Sequence, residues 1–255
     1  MYEGTMPLLL ASACYVSWTY LKDSPFTYIT QKDNPLCDGI HGSFCARGSY
    51  FTFAIVLYTA YIYISNSLSI PVKNALYDSP YLFKDGVVHG ILISCISILI
   101  NIFGGFIEVH AIQEKKLLDI PTIIMGMLFT GTSEEILYRA LPINALRPYF
   151  SENIIVIISA LFFGYIHSGR SMYYGITACI SGLLLGYGFL KYGLYWAIGM
   201  HSAYNIVETS FYSVSDFKVK NVIMGGKREM PDDDGLTTAI VESAALIVLN
   251  YRGHF

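Results

Sequence analysis

Long apolar stretches separated by short polar ones run through most of the chain. They lie at about 5–21, 50–70, 87–107, 121 onward, 153–167, 172–190, 194–215 and 236–250. Runs of about 20 apolar residues fit the roughly 30 Å hydrocarbon core of a bilayer. A segment in lipid must satisfy its own backbone hydrogen bonds, and these runs lack the two-residue alternation of barrel strands. The pattern therefore predicts an all-α, polytopic membrane helix bundle of about eight transmembrane helices.

The composition agrees with this class. Of 255 residues, 54% are hydrophobic and 14% are charged, whereas soluble domains carry about 25% charged residues. The net charge of −3 and the lack of a Lys/Arg cluster argue against a nucleic-acid partner. No repeat or long linker divides the chain, so we expect a single membrane-embedded domain over residues 1–255, with the lipid bilayer as its surroundings.

The five cysteines do not make a disulfide framework. Cys14, Cys95 and Cys179 lie in apolar stretches, where a thiol behaves as a small hydrophobic group. Cys37 and Cys45 share a polar loop and would pair only if that loop faced an oxidising compartment. We expect free thiols.

Three charged residues interrupt the fourth apolar stretch, in the sequence GTSEEILYRAL from 131 to 141. An ionisable side chain at the middle of a membrane costs about 2.5–3.5 kcal/mol on insertion scales. Glu135 and Arg139 are one helical turn apart with the acid first, which favours an ion pair. Glu134 is rotated by about 100° from Glu135 and gains no such partner. The spacing thus gives Glu135 a structural role and makes Glu134 a candidate for proton transfer.

Two later stretches place polar side chains at the same four-residue spacing. In FFGYIHSG, Phe163 precedes His167 by one turn, and in IGMHSAYN, His201 precedes Asn205. A single histidine in a membrane helix is readily explained by a hydrogen bond to a neighbouring carbonyl. Two histidines, an asparagine and an unpaired glutamate on three stretches are better explained by one shared site inside the bundle.

These groups suit the hydrolysis of a carbonyl compound. Glu134 and His167 can deprotonate a shared water, while His201 and Asn205 can donate hydrogen bonds to the developing oxyanion. The side chains of Glu134, His167 and His201 are also suitable Zn²⁺ ligands, although their spacing is not that of an H-E-x-x-H zinc helix. Hydrolysis without a cofactor and hydrolysis with a divalent metal such as zinc therefore both stay open.

The motifs EEILYR, FGYIH and HSAYN, in this order, resemble the three-motif core of the CPBP family, the CAAX-protease and bacteriocin-processing enzymes related to type II CAAX prenyl endopeptidases. The similarity covers about 119–215. It implies an intramembrane endopeptidase that hydrolyses a peptide bond in a membrane-associated protein or peptide. It assigns to catalysis the residues Glu134, His167, His201 and Asn205. It assigns to a supporting role the residues Glu135, Arg139 and Phe163.

The resemblance also implies a cellular location, and two alternative functions stay open beside it. The stretch SGLLLGYGFLKYGLYWAIGMHSAYN is more similar to the bacterial branch, which implies an integral, multi-pass protein of a bacterial plasma membrane. A proton-coupled transporter with intramembrane Glu and His is one rival, although no pair of related halves is visible. A non-catalytic membrane scaffold is the other. Prenylated proteins, bacteriocin leaders and signalling peptides are all compatible substrates, and the fold does not choose among them.

Overall fold

The computed structural model describes residues 40–67, 80–168, 171–226 and 235–251. The predicted first stretch, 5–21, and Cys37 lie outside these ranges. Helices of the first half are α1 (Ile40–Ser67), α2 (Leu82–Phe103), α3 (Ile120–Glu135) and α4 (Leu141–Leu146). Helices of the second half are α5 (Glu152–His167), α6 (Met172–Tyr192), α7 (Leu194–Val214), α8 (Val222–Gly225) and α9 (Leu236–Tyr251). The mostly helical architecture confirms the all-α prediction.

A two-stranded antiparallel sheet was not predicted from the sequence. Strand β1 (Ile107–Ile112) pairs with β2 (Ser215–Val219), with a register irregularity after Val109. Helix α2 ends before β1 because Gly105 takes a left-handed conformation with φ 70°, which glycine adopts without steric cost. Each strand closely follows a long apolar helix, which concealed it in the sequence pattern.

The expected number of membrane spans is not confirmed. In the described ranges, α2 and α6 are long and apolar enough to cross a membrane, by length and composition alone. The apolar segments Phe51–Ser65, Glu152–His167 and Leu236–Leu249 are shorter. Helices α5 and α9 have 16 residues each, whereas a span perpendicular to the membrane needs about 20.

Helix α7 is the centre of the bundle and packs against α2, α3 and α6. Its contact with α2 is close because Gly90 faces the α7 backbone, where a Cβ would meet the carbonyl oxygen of Met200 and lie 2.9 Å from the nitrogen of Tyr204. The Ser94 hydroxyl donates to the Tyr204 carbonyl at 3.1 Å. Small residues and interhelical hydrogen bonds drive helix association in lipid, where no hydrophobic effect acts between helices. This contact fixes the helix that carries His201.

The helical segment with the two glutamates continues past Glu135. Residues Ile136–Ala140 form one π-helical turn, in which the N–H of Leu141 donates to the carbonyl of Ile136. Pro142 has no N–H to give to the Tyr138 carbonyl four residues earlier, and the Ser159 hydroxyl of α5 donates to that carbonyl. Single π turns within α-helices are rare and frequently lie at functional sites. This one follows the glutamate pair directly.

Candidate active site

A buried network joins Glu135, Arg139 and His201. The Nη1 of Arg139 donates to Oε1 of Glu135 at 3.0 Å, and both side chains are 0% exposed. The ion pair expected from the four-residue spacing is thus present. The Nδ1–H of His201 donates to the same Glu135 oxygen at 2.7 Å. Glu135 is the last residue of α3, Arg139 lies in the π turn that follows, and His201 lies on α7, so the carboxylate of Glu135 links α3 to α7.

The hydrogen bond on Nδ1 determines which ring nitrogen of His201 faces Glu134. A carboxylate only accepts hydrogen bonds, so Nδ1 is the donor and Nε2 is the ring nitrogen turned toward the rest of the site. This Nε2 lies 3.6 Å from Oε2 of Glu134. The buried Glu135 therefore orients His201 toward Glu134, as a carboxylate orients the histidine of a hydrolytic triad.

His167, the last residue of α5, is held by its own helix and by aromatic rings. Its Nδ1–H donates to the Phe163 carbonyl at 2.7 Å, which places the lone pair of the neutral ring on Nε2. The ring centroid of His167 lies 4.2 Å from that of Phe163 and 5.2 Å from that of Tyr174. Phe163 also lies under the guanidinium of Arg139 at 4.3 Å. The Phe163 ring thus contacts both the buried ion pair and His167.

A cavity of about 500 Å³ opens beside these side chains. Its lining includes all four residues predicted to be catalytic, Glu134, His167, His201 and Asn205. Phe163 lines it as well, whereas Glu135 and Arg139 lie behind the wall. The two adjacent glutamates therefore face different surroundings, one the cavity and the other the packed interior.

Residues 116–207 match the family model described as type II CAAX prenyl endopeptidase Rce1-like. Over these residues the chain is similar to the Rce1-like family. This match confirms the resemblance read from the three motifs, and it supports a protease of the CAAX type, a family of integral membrane proteins. No curated protein and no solved structure matches the chain.

Three charged residues of the cavity wall lie outside the Rce1-like match and were not predicted as site residues. They are Arg47 of α1, Glu208 of α7 and Glu242 of α9. Glu242 accepts from the Ser181 hydroxyl at 2.6 to 2.7 Å. Ser181 shares one face of α6 with Thr177 and Tyr174, and this polar stripe at helical spacing is the signal that could have revealed the wall.

The donor groups around the cavity bear on the zinc alternative. In the described ranges, no group of three His, Cys, Asp or Glu side chains is placed to hold a metal ion. Glu134 and His201 approach to 3.6 Å, but His167 does not complete a three-ligand group with them. The Rce1-like residues as arranged here thus do not form a preassembled metal centre. Cys95 and Cys179 are free thiols.

Proposed function

We propose that the protein is an intramembrane endopeptidase that hydrolyses one peptide bond of a membrane-associated protein or peptide. The observation that carries the proposal is the position of Glu134, which lines the cavity with its Oε2 3.6 Å from Nε2 of His201. Similarity to a membrane protease family supports the reaction class. The proposal includes a single domain that crosses the plasma membrane of a bacterium several times.

The chemistry proposed starts with a water bound by Glu134 and His167. Glu134 takes a proton from this water while the water oxygen attacks the peptide carbonyl. The Nε2 of His167 accepts a hydrogen bond from the other O–H of the water and so orients the water. The proton on Glu134 then passes to the leaving nitrogen, and the C–N bond breaks.

The tetrahedral oxyanion needs hydrogen-bond donors in the same cavity. Asn205 supplies its carboxamide N–H, and His201 supplies Nε2–H when the imidazole is protonated. The Glu135 carboxylate on Nδ1, at 2.7 Å, stabilises that imidazolium. Arg139 donates to the same Glu135 oxygen at 3.0 Å. Glu135 and Arg139 thus act as positioning residues, through His201.

The test is cleavage of a peptide pool by purified protein in detergent. We expect the wild type to cleave and the Glu134→Ala variant to be inactive while remaining folded. Glu152→Ala removes an exposed acid that pairs with Arg147 at the start of α5, and this matched control should retain wild-type activity. Equal cleavage by wild type and Glu134→Ala would overturn the mechanism.

Two further arms separate the alternatives. The metal-free reaction predicts that a chelator leaves cleavage unchanged, whereas its loss would assign a metal to Glu134 and the histidines. A scaffold predicts that no member of the pool is cleaved and that Glu134→Ala still supports the partner protein. A transporter predicts solute flux in liposomes that peptides do not inhibit.

A further inference from the structure

The cavity is an elongated groove along α7. Its lining on that helix runs from Met200 to Ser213, thirteen steps of about 1.5 Å, or about 20 Å in all. The opposite wall follows α6 from Tyr174 to Leu185, again along one helix face. An extended peptide rises about 3.3 Å per residue, so about six residues fill this length. The shape suits an extended chain better than a compact small molecule.

One end of the groove leads directly to the sheet. Ser213 lines the groove, Val214 ends α7, and β2 begins at Ser215. The ring of Tyr212, also in the lining, packs against Phe217 of β2 with centroids 5.2 Å apart. The groove and the strand are therefore parts of one continuous surface.

The two edges of β2 face different neighbours. One edge pairs with β1, which follows α2, and the N–H of Gln113 just after β1 donates to the carbonyl of Val214 at 2.7 Å. Neither α2 nor β1 contributes a residue to the lining of the groove. In the described part of the chain the sheet has two strands, in the order β1–β2. The groove lining ends at Ser213, two residues before β2 begins, and the edge of β2 that does not pair with β1 is its outer edge.

The chemistry of β2 fits the addition of a further strand. A strand at the edge of a sheet presents unpaired N–H and C=O groups in the plane of the sheet. The exposed side chains of Asp216 and Lys218 project from a face of the strand rather than from its edge. Extended peptides commonly bind proteins by adding to such an edge, because their backbone then satisfies its own hydrogen bonds.

We infer that the substrate of the proposed peptidase binds in extended form and adds as a third strand to the outer edge of β2. This inference rests on the proposed function. Asn205 and Ser213 are eight steps, or about 12 Å, apart along α7. The backbone contacts with β2 therefore begin about four residues from the scissile bond. The ligand class recognised at β2 is the peptide backbone of the substrate and not a particular side chain.

A backbone scan tests this pairing. In the peptide of the pool that is cleaved most efficiently, each amide in turn is N-methylated, and kcat/KM is measured. Pairing with β2 predicts losses of about tenfold at every second position, starting about four residues from the scissile bond and on one side of it only. Losses without a two-residue period, or none beyond the fourth residue, would overturn the inference while cleavage itself upholds the proposed function.

Cross-linking in the inactive Glu134→Gln variant provides an independent measurement. The photoreactive p-benzoylphenylalanine is placed at position 217 on β2 or, as the matched control, at position 109, its register partner on β1. A strand added to β2 lies about 4.8 Å from β2 and twice as far from β1. The same peptide should give a high cross-linking yield from position 217 and a much lower yield from position 109. Equal yields, or no yield at 217, would contradict the inference, and cleavage of the peptide by Glu134→Gln would instead contradict the proposed function.

Discussion

The buried corner of the site and the exposed sheet each contain an ion pair and a histidine, in opposite environments. In the corner, Glu135 and Arg139 are 0% exposed and 3.0 Å apart. On the sheet, Glu108 and Lys220 are 2.5 Å apart, and their side chains are 49% and 45% exposed. The shorter contact is thus the more exposed one, so the distance alone does not tell which pair matters more for stability.

The difference shows that burial determines how much stability is lost when one partner of an ion pair is removed. Exposed ion pairs contribute little because water and salt screen the charges. A buried charge left without its partner is strongly destabilising. Among the described residues, Oε2 of Glu135 and Nη2 of Arg139 have no hydrogen-bond partner, so the corner is not optimised for stability. The corner also contains the 2.7 Å hydrogen bond from His201 to Glu135.

The largest expected effect comes from removing the cation of each pair. Arg139→Ala leaves the Glu135 carboxylate buried and should lower the free energy of unfolding by about 3–5 kcal/mol. Lys220→Ala leaves Glu108 in water and should scarcely change it. Thermal unfolding of both variants in detergent measures the difference. Equal decreases in Tm for the two variants would contradict the claim that burial makes the Glu135–Arg139 pair the more important one.

The next largest effect, on activity, comes from replacing a histidine of the cavity and, as its control, a histidine of the sheet. His167→Ala removes a group that lines the cavity and should lower kcat/KM by about 10²-fold or more. His110 is exposed on β1, and His110→Ala should leave kcat/KM unchanged. Peptide cleavage by the two variants decides the matter. An active His167→Ala variant would remove His167 from the proposed water-binding pair.

A smaller effect is expected where α3 meets α7. A Cβ at Gly131 would collide with the Ser202 hydroxyl and lie 3.0 Å from the Ser202 nitrogen. Gly131→Ala should therefore separate Glu135 from His201 and lower the free energy of unfolding by about 1–3 kcal/mol, with a loss of activity. Thr132→Ala, at the half-buried neighbouring position, is the control. Unaltered unfolding and cleavage by Gly131→Ala would show that the two helices are not held in contact as described.

The smallest effect is a pH dependence on the sheet. The hydrogen bond and the positive charge of Lys220 lower the pKa of Glu108 below its usual value of 4.5. A carboxyl with a lowered folded-state pKa stabilises the folded state above its unfolded-state pKa, and this contribution disappears as pH falls through the folded-state pKa. The small difference in Tm between wild type and Lys220→Ala should thus be present at neutral pH and vanish in acid. A difference that grew in acid would contradict this sign.

The sequence predicted those features that depend on spacing within one helix. Stretch 153–167 is helix α5, and the four-residue interval predicted the Glu135–Arg139 pair. Features that depend on contacts between elements were missed. No local pattern showed that His201 would bond to Glu135, 66 residues away, because the acid was already matched with Arg139 on its own helix.

The two strands and the π turn were missed for a different reason. Strand β1 is six residues long and follows an apolar helix with a single turn between them, so helical and strand periodicities overlap there. The π turn depends on Pro142 and on the Ser159 hydroxyl from another helix. The proline was visible in the sequence, but the compensating hydrogen bond was not.

The most direct test of the division between the two glutamates is a parallel measurement on Glu134→Gln and Glu135→Gln, with peptide cleavage and thermal unfolding followed on the same samples. We predict that Glu134→Gln lowers kcat/KM by at least about 10²-fold with an unchanged Tm. Glu135→Gln should lower the Tm, because it leaves the Arg139 charge buried without its counter-ion. Retained cleavage by Glu134→Gln would contradict the account and would show that the chemistry does not depend on the glutamate facing the cavity.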